Sequence, residues 1–474
     1  MSVLDNNKPH QYYFEELTKI PHGSEDEKRI SDYLVAFAKE QGLEYYQDDI
    51  FNVIIYKPAS AGYESHPAVL LQSHIDMVPE KEAGVDHDFT KDALSLYIED
   101  GYLHAKGTTL GADDGSGVAY MMAILADKTL AHPALECLFT VQEETTMEGA
   151  MQIDVSKISA RRLINIDGEE ENCTMTSSCG GTDFAISKDV EFTTVNKKGY
   201  TLKITGLIGG HSGGDIDKER GNAIQIGGRM LYKLSKNGEF HLGNVVAGSK
   251  VNAIPRDGEF TFTYEGGCPM CVLKKEAEDV VKELEFSDAG FKWEVTETEV
   301  REVLSAEESK KVLSFVYVAP NGLFHKCAEQ DNLTVASSNI GILNIHDGKI
   351  LIEGSCRGNL TSYYMDSFEK LEALAEVYGY KAVSENPYPC WDYMAVSPLR
   401  DVMAEVHKEV YGKEIAMFGI HGGLECGIFK EKMPDLDIVT MGPNVQDVHS
   451  PSEKMELASF DSTFEFLVKF IAAL

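Results

Sequence analysis

No stretch of this 474-residue chain approaches the roughly 18 consecutive apolar residues that a membrane span requires. Basic residues are scarce: 43 Lys and Arg against 77 Asp and Glu leave a formal net charge of −34. A surface that negative repels phosphate backbones and anionic lipid, which argues against nucleic acid and membranes as partners and favours small molecules and cations. Cysteine is thin as well. The nine are an odd number without the dense spacing of a disulfide framework, which points to a reducing cytoplasm. One tight pair, Cys268-Pro-Met-Cys271, lacks the second pair a structural zinc site needs and reads as a loop feature. The opening MSVLDNNKPHQYYFEE has no basic start followed by an apolar run, so no secretory leader is expected.

What the chain does have is core. A hydrophobic share of 43% with 25% charged residues suits a globular protein, and the length allows two or three units at about 150 residues each. Ser24-Glu25-Asp26-Glu27 reads as a capping box opening a helix whose apolar face is Ile30, Tyr33, Leu34, Phe37 and Ala38. Short apolar runs at 52–56, 68–71, 135–141 and 163–166 lack polar alternation, as strands buried on both faces do. Between them, 118–126 reads as a helix beginning just after a glycine-rich turn.

From about residue 182 the texture changes. Segments 200–207 and 259–265 alternate like half-exposed strands, with helical stretches at 223–234 and 368–377, which predicts an antiparallel sheet with helices on one face. After 386–389 the α/β texture returns, with Ser397-Pro398 opening a helix that ends near Gly412 and an apolar closing helix over 460–474. The expected architecture is therefore α/β: a discontinuous domain at 1–180 and 389–474 with a mostly parallel or mixed sheet flanked by helices. An α+β domain at 181–388, long enough for two similar halves, is inserted into it.

Five acid- or histidine-bearing segments fall at the ends of the buried strands or in loops after them, where open α/β sheets build their sites. They contain His74 and Asp76, Asp113 and Asp114, Glu143 and Glu144, Asp167, and His449. Singly each has an ordinary reading: a satisfied core histidine, a glycine-flanked turn, a solvated acid pair. The run Glu169-Glu170-Glu171 is read as surface, and His22, His87, His104, His132 and His407 carry no motif. Together, clustered carboxylates cannot all stay ionised without a cation. Two histidines with several carboxylates suit zinc, cobalt or manganese, and a shared carboxylate suits two ions holding one water.

The stretches SHIDMVPEK, GTTLGADDGSGVA, QEETTMEGA, NIDGEE, GGHSGGDI, VNAIPR, HGGLECGIF and DVHSPSE resemble, nearly end to end, those of the M20 metallopeptidases, and among them the bacterial aminoacyl-histidine dipeptidases. The resemblance implies that His74 and Asp167 bind one metal, Glu144 and His449 the other, and Asp113 both. It makes Asp76 the partner of the far nitrogen of His74, Glu143 the general base and His211 the oxyanion donor; Asp114 is not counted as a ligand.

Arg357 is the candidate clamp for a peptide carboxylate, with Asn252 as a polar contact, although a surface or turn position fits either equally. The loop His421 to Glu425 is a candidate to wrap the substrate, with Glu425 placed to pair with a histidine side chain. The function expected is hydrolysis of Xaa-His dipeptides, including β-alanyl-histidine, by a cytoplasmic monomer or homodimer carrying two divalent ions, zinc with cobalt and manganese as alternatives. An aminoacylase acting on N-acyl amino acids is the competing reading, and a catalytically silent binding protein the remote one.

Overall fold

The apolar runs become the middle of a six-stranded sheet. In the computed structural model, which describes residues 2–328 and 333–474, strands Glu44–Gln47, Val53–Lys57, Leu135–Thr140, Val69–His74, Arg162–Asn165 and Asp437–Thr440 lie side by side in that order. The first two pairings are antiparallel and the remaining three parallel, so the sheet is mixed. Every residue of Val69–His74 and of Leu135–Thr140 is buried, which is why neither shows polar alternation. Because these two strands and Arg162–Asn165 run parallel, their C-terminal ends open on one edge of the sheet. His74 ends the first, Glu143 and Glu144 follow the second, and Asp167 follows the third.

The chain divides into two compact units. One comprises Met1–Ser177, Tyr393–Gly419 and Ile428–Leu474; the other comprises Ser178–Asp392 and Ile420–Gly427. The segment 420–427, which chain order alone puts with the first unit, clusters with the second.

Three local readings change. Helix Lys28–Gln41 does bury Ile30, Leu34, Phe37 and Ala38, but Ser24 does not cap it. The Ser24 hydroxyl instead donates to Asp76 Oδ2 at 2.8 Å. A buried carboxylate needs donors more than a helix end near solvent does. The helix expected from 118 starts earlier, as Ala112–Ala126, with Gly111 at φ 69° before it and Asp113 and Asp114 in a non-helical kink. Cys268-Pro-Met-Cys271 is not a loop but the start of helix Pro269–Glu283. Helix Pro398–Tyr411 behaves as read: Ser397 Oγ accepts from the Arg400 N–H, and Gly412 closes the helix in the left-handed region.

The second unit holds a nine-stranded sheet whose pairings are all antiparallel. Eight of its strands form two β-α-β-β-α-β modules. The first module runs Thr193–Thr205, helix Ala223–Ser235, Gly238–Ala247, Gly258–Gly266, helix Pro269–Glu283 and Lys292–Val303. The second runs Gly180–Asp189, helix Ala306–Val318, Thr334–His346, Lys349–Gly358, helix Thr361–Tyr378 and Lys381–Tyr388, and the first interrupts it after its opening strand. Each has the spatial strand order 4-1-3-2, and they join antiparallel through their second strands, Val245 opposite Ile345. The apolar residues of all four helices merge with one face of the sheet into a single core. The opposite face carries surface pairs such as Lys203–Glu259 at 2.6 Å and Lys197–Glu265 at 2.8 Å. Among the described residues, no helix is long and apolar enough to cross a membrane.

One buried contact fixes the start of helix Ala112–Ala126. The Glu453 carboxylate, 2% exposed, accepts from the N–H groups of Leu110, Gly111, Ala112 and Asp113 at 2.7, 3.0, 2.8 and 3.4 Å. These donors have no partner within the helix, so an acid here serves as its cap. Glu453→Ala would leave several of them buried and unpaired. We expect a loss of more than about 3 kcal/mol in urea unfolding of the metal-free protein. Stability within about 0.5 kcal/mol of the parent would remove this role from Glu453.

Candidate metal centre

His74 ends its strand almost wholly buried, 1% exposed, and its two ring nitrogens face different partners. Nδ1 lies 3.0 Å from the Asp76 carbonyl oxygen and 3.5 Å from its carboxylate. Nε2 lies 3.0 Å from Asp113 Oδ1 and 3.4 Å from Asp167 Oδ1. An oxygen facing Nδ1 keeps a proton there, so Nε2, which faces the acids, is the nitrogen that would coordinate a cation once its own proton is displaced. The nearer oxygen is the carbonyl rather than the carboxylate that the sequence suggested. The Asp76 carboxylate does other work: it accepts from Ser24 Oγ and from the N–H groups of Glu143 and Glu144, at 2.8, 3.0 and 3.3 Å. It thereby ties the loop that carries both glutamates to the end of the neighbouring strand.

Asp113 is the hinge of the arrangement. Its Oδ1 faces His74, while its Oδ2 lies 3.2 Å from His449 Nε2, which is also 2.9 Å from Glu144 Oε2. His74, Asp113 and Asp167 form one potential ligand group and Asp113, Glu144 and His449 another, with the ligand atoms of each within 4.8 Å of one another. Glu143 comes within the same distance of His74 and Glu144. Asp114 turns away: Gly117 N donates to its Oδ1 at 3.0 Å, and the Ser73 hydroxyl donates to Oδ2.

Local backbone makes these placements possible. His449 and Asp447 sit at φ 58° and 56°, a left-handed conformation costly for non-glycine residues and often found where a side chain must be aimed. Behind Asp167, a Cβ on Gly168 would lie 2.7 Å from the Met441 carbonyl carbon, so only glycine lets the two strand ends cross there.

The electrostatics are those of acids lacking a counter-charge. Burial pushes Asp167 up to about 7 and raises Glu144. Asp113 is held far below the usual range, because against its burial both His449 and His74 donate to it. His449 rises to about 11 through Asp113 and then Glu144. One oxygen of Glu144, Oε1, is buried without a hydrogen-bond partner. An orphaned carboxylate oxygen within a two-histidine, three-carboxylate set is what divalent cations would satisfy, so the residues fit metal.

Sequence reasoning missed Ser24, and it placed Glu169 at the surface, where it is, without seeing how near it lies to the acids. Glu169 keeps contact with solvent, yet burial and then Asp113 push its carboxyl up to about 7, so it belongs to the rim of this cluster. No periodicity separates Glu169 from the two acids after it. Glu453 lay inside a quoted motif but carried no signal of its own.

The remaining sequence candidates lie in the second unit. His211 pairs across a short ladder with Ala253, and its Nδ1 accepts from Gly214 N at 3.0 Å. The ring is pushed down to about 4 by burial and then by Arg357, so it is neutral, and with Nδ1 accepting, the proton sits on Nε2 as a free-facing donor. Arg357 is not a surface residue: it is 9% exposed, donates from Nη1 to Tyr388 Oη at 2.6 Å, and leaves Nε buried without a partner. Asn252 is exposed, and its carbonyl accepts from Ser212 beside His211. His421 is buried between Ser337 Oγ on Nε2 at 2.7 Å and Asn359 Oδ1 on Nδ1 at 3.2 Å. Glu425 is fully buried at the start of helix Glu425–Lys432.

The mixed sheet and the paired ligand groups at its C-terminal edge define a metallohydrolase-like α/β unit. Comparison with known proteins is specific. The model of peptidase family M20/M25/M40 matches residues 70–473. The cytosol non-specific dipeptidase of Escherichia coli is 32% identical over 488 residues, covering 99% of each chain. The crystal structure of aminoacylhistidine dipeptidase from Vibrio alginolyticus superposes with a TM-score of 0.88 at 31% identity, covering 100% of this chain and 98% of that one. An M20 family metallo-carboxypeptidase from Sulfolobus solfataricus shares the fold, with a TM-score of 0.56 at 15% identity over 99% of both chains. The chain belongs to peptidase family M20/M25/M40.

His421 gives a test of the second unit's electrostatics. Burial, then Arg357 and His211, pushes it down to about 3. Asn359 Oδ1 only accepts, so the ring is neutral with its proton on Nδ1, opposite to His211. Above about pH 6.5 neither folded nor unfolded His421 is charged; as pH falls from there toward about 3, only the unfolded chain gains the proton and stability is lost. Nitrogen NMR should show both rings neutral down to about pH 5 with opposite tautomers. Between about pH 7 and pH 5 the parent should lose on the order of 1–2 kcal/mol more unfolding free energy than His421→Gln does. A His421 titrating near 6.5 would contradict this.

Proposed function

We propose that the chain is a two-metal dipeptidase that hydrolyses Xaa-His dipeptides, β-alanyl-histidine among them, and other dipeptides. The observation that carries the proposal is Asp113, whose two oxygens face two different histidines, at 3.0 and 3.2 Å. His74 and Asp167 would hold one ion, Glu144 and His449 the other, and Asp113 both. The names of the relatives in Escherichia coli and Vibrio alginolyticus support the substrate class. Zinc suits this donor set, with cobalt or manganese as substitutes. The relative's cytosolic name and nine free cysteines support a cytoplasmic enzyme.

Two divalent ions held there would supply an activated water and polarise the scissile carbonyl. The chain's own residues do the rest. Glu143, whose N–H is anchored on Asp76, takes the proton of the attacking water and returns it to the leaving amine. Asp76 and its carbonyl hold the His74 ring in the coordinating tautomer. His211, neutral and with Nε2–H available, would donate to the developing oxyanion; a charged ring is not needed for that role. Arg357, a buried guanidinium with an unmatched Nε–H, would take the dipeptide carboxylate, with Asn252 and the loop of His421 and Glu425 around it.

Two variants test these assignments. Glu143→Gln should retain its metal and lose most of kcat, and His211→Ala should lose about 10²–10³ in kcat at unchanged stability. Chelation should abolish cleavage of Xaa-His dipeptides. Turnover of N-acetyl amino acids in preference to dipeptides, or unchanged kcat in Glu143→Gln, would overturn the reading.

A further inference from the structure

We propose that Cys268 and Cys271 form a redox-active dithiol that closes to an intramolecular disulfide by exchange with low-molecular-weight disulfides, Cys268 being the attacking thiol. Of the nine cysteines only these two are exposed; the others are buried or half-buried. Cys268 is the N-cap of helix Pro269–Glu283 and Cys271 lies in its first turn. Cys271 N donates to Cys268 O at 3.3 Å, closing a turn from i to i+3. Such a turn holds its end Cα atoms within about 7 Å, and disulfides bridge Cα separations of about 4.4–6.8 Å, so the bond can form with little backbone movement.

The turn also distinguishes the two sulfurs. The Cys271 thiol, then the N–H groups of Cys271 and Met270 at the helix start, hold Cys268 below the ordinary cysteine value, while Cys271 is raised. A thiolate at a helix N-terminus with a second thiol in the same turn is the general arrangement of reactive Cys-x-x-Cys pairs. Pro269 at the first helical position costs no hydrogen bond there and fixes the turn.

The chemistry balances. The Cys268 thiolate attacks one sulfur of the small disulfide, forming a mixed disulfide and releasing one thiolate, which takes up the proton Cys268 lost. Cys271 then gives up its proton and attacks the Cys268 sulfur, forming the protein disulfide and releasing the second small thiol. The protein pair is oxidised by two electrons and one small disulfide is reduced to two thiols. In a reducing pool the pair rests as dithiol and responds when the small disulfide accumulates.

The test uses the full-length, metal-loaded protein, reduced and then exposed to glutathione disulfide, with peptide mapping and native thiol counts. We expect a Cys268–Cys271 disulfide in the parent with no glutathione retained. Cys271→Ser should accumulate glutathione on Cys268, and Cys268→Ser should react at least about tenfold more slowly. Both positions are exposed, and unchanged dipeptidase activity of the reduced variants serves as the check on folding. Glutathione retained by the parent, linkage between chains, equal rates in the two variants, or two thiols still free at equilibrium would each overturn the proposal.

Discussion

Carboxylates gathered at one edge of a sheet repel one another, and the surroundings of Asp113 are arranged to hold them there. Burial, and after it the Asp113 charge, raises Asp167 and Glu144, while the two histidines that donate to Asp113 pull it the other way. The cost of collecting these charges is offset by rigid neighbours. Asp76 draws Ser24 and two backbone N–H groups, and Glu453 closes the helix that starts beside Asp113. Such a cluster gains most from cations, so the same constraint that strains the scaffold selects its ligand.

Much of this was legible in the sequence, for a physical reason. Strands buried on both faces are mostly apolar, so acids and histidines at or just past their ends stand out, and His74, Glu144 and Asp167 are found that way. Asp113 and His449 come from turns, where glycine-rich spacing gives a weaker signal, and the motif resemblance was needed to join them. Ser24 was misread because a serine followed by a glutamate three residues on fits a helix cap. Its hydroxyl went to a buried charge that only the tertiary fold brings near. Glu169 is exposed as read, and only the tertiary fold shows that the Asp113 charge adds to burial in raising its carboxyl. The opening of helix Pro269–Glu283 was missed because a Gly-Gly-Cys-Pro run reads equally as a turn and as the proline start of a helix.

The second unit shows how a long insert stays orderly. Two modules of one topology share a continuous sheet by pairing equivalent strands, which removes two edges that would otherwise stand open. One face takes the helices, and the other carries charged side chains such as the Lys197–Glu265 and Lys203–Glu259 pairs. Against that background, His211 and His421 are unusual in being neutral imidazoles kept so by burial and by the buried guanidinium of Arg357.

The account rests on Asp113 joining two ligand groups, and the metal content per chain tests it most directly. Zinc-loaded protein, freed of loosely held ions and measured by elemental analysis, should carry about two ions per chain, and Asp113→Asn fewer at the same free zinc. One ion in the parent chain, or two ions held with unchanged affinity by Asp113→Asn, would contradict it.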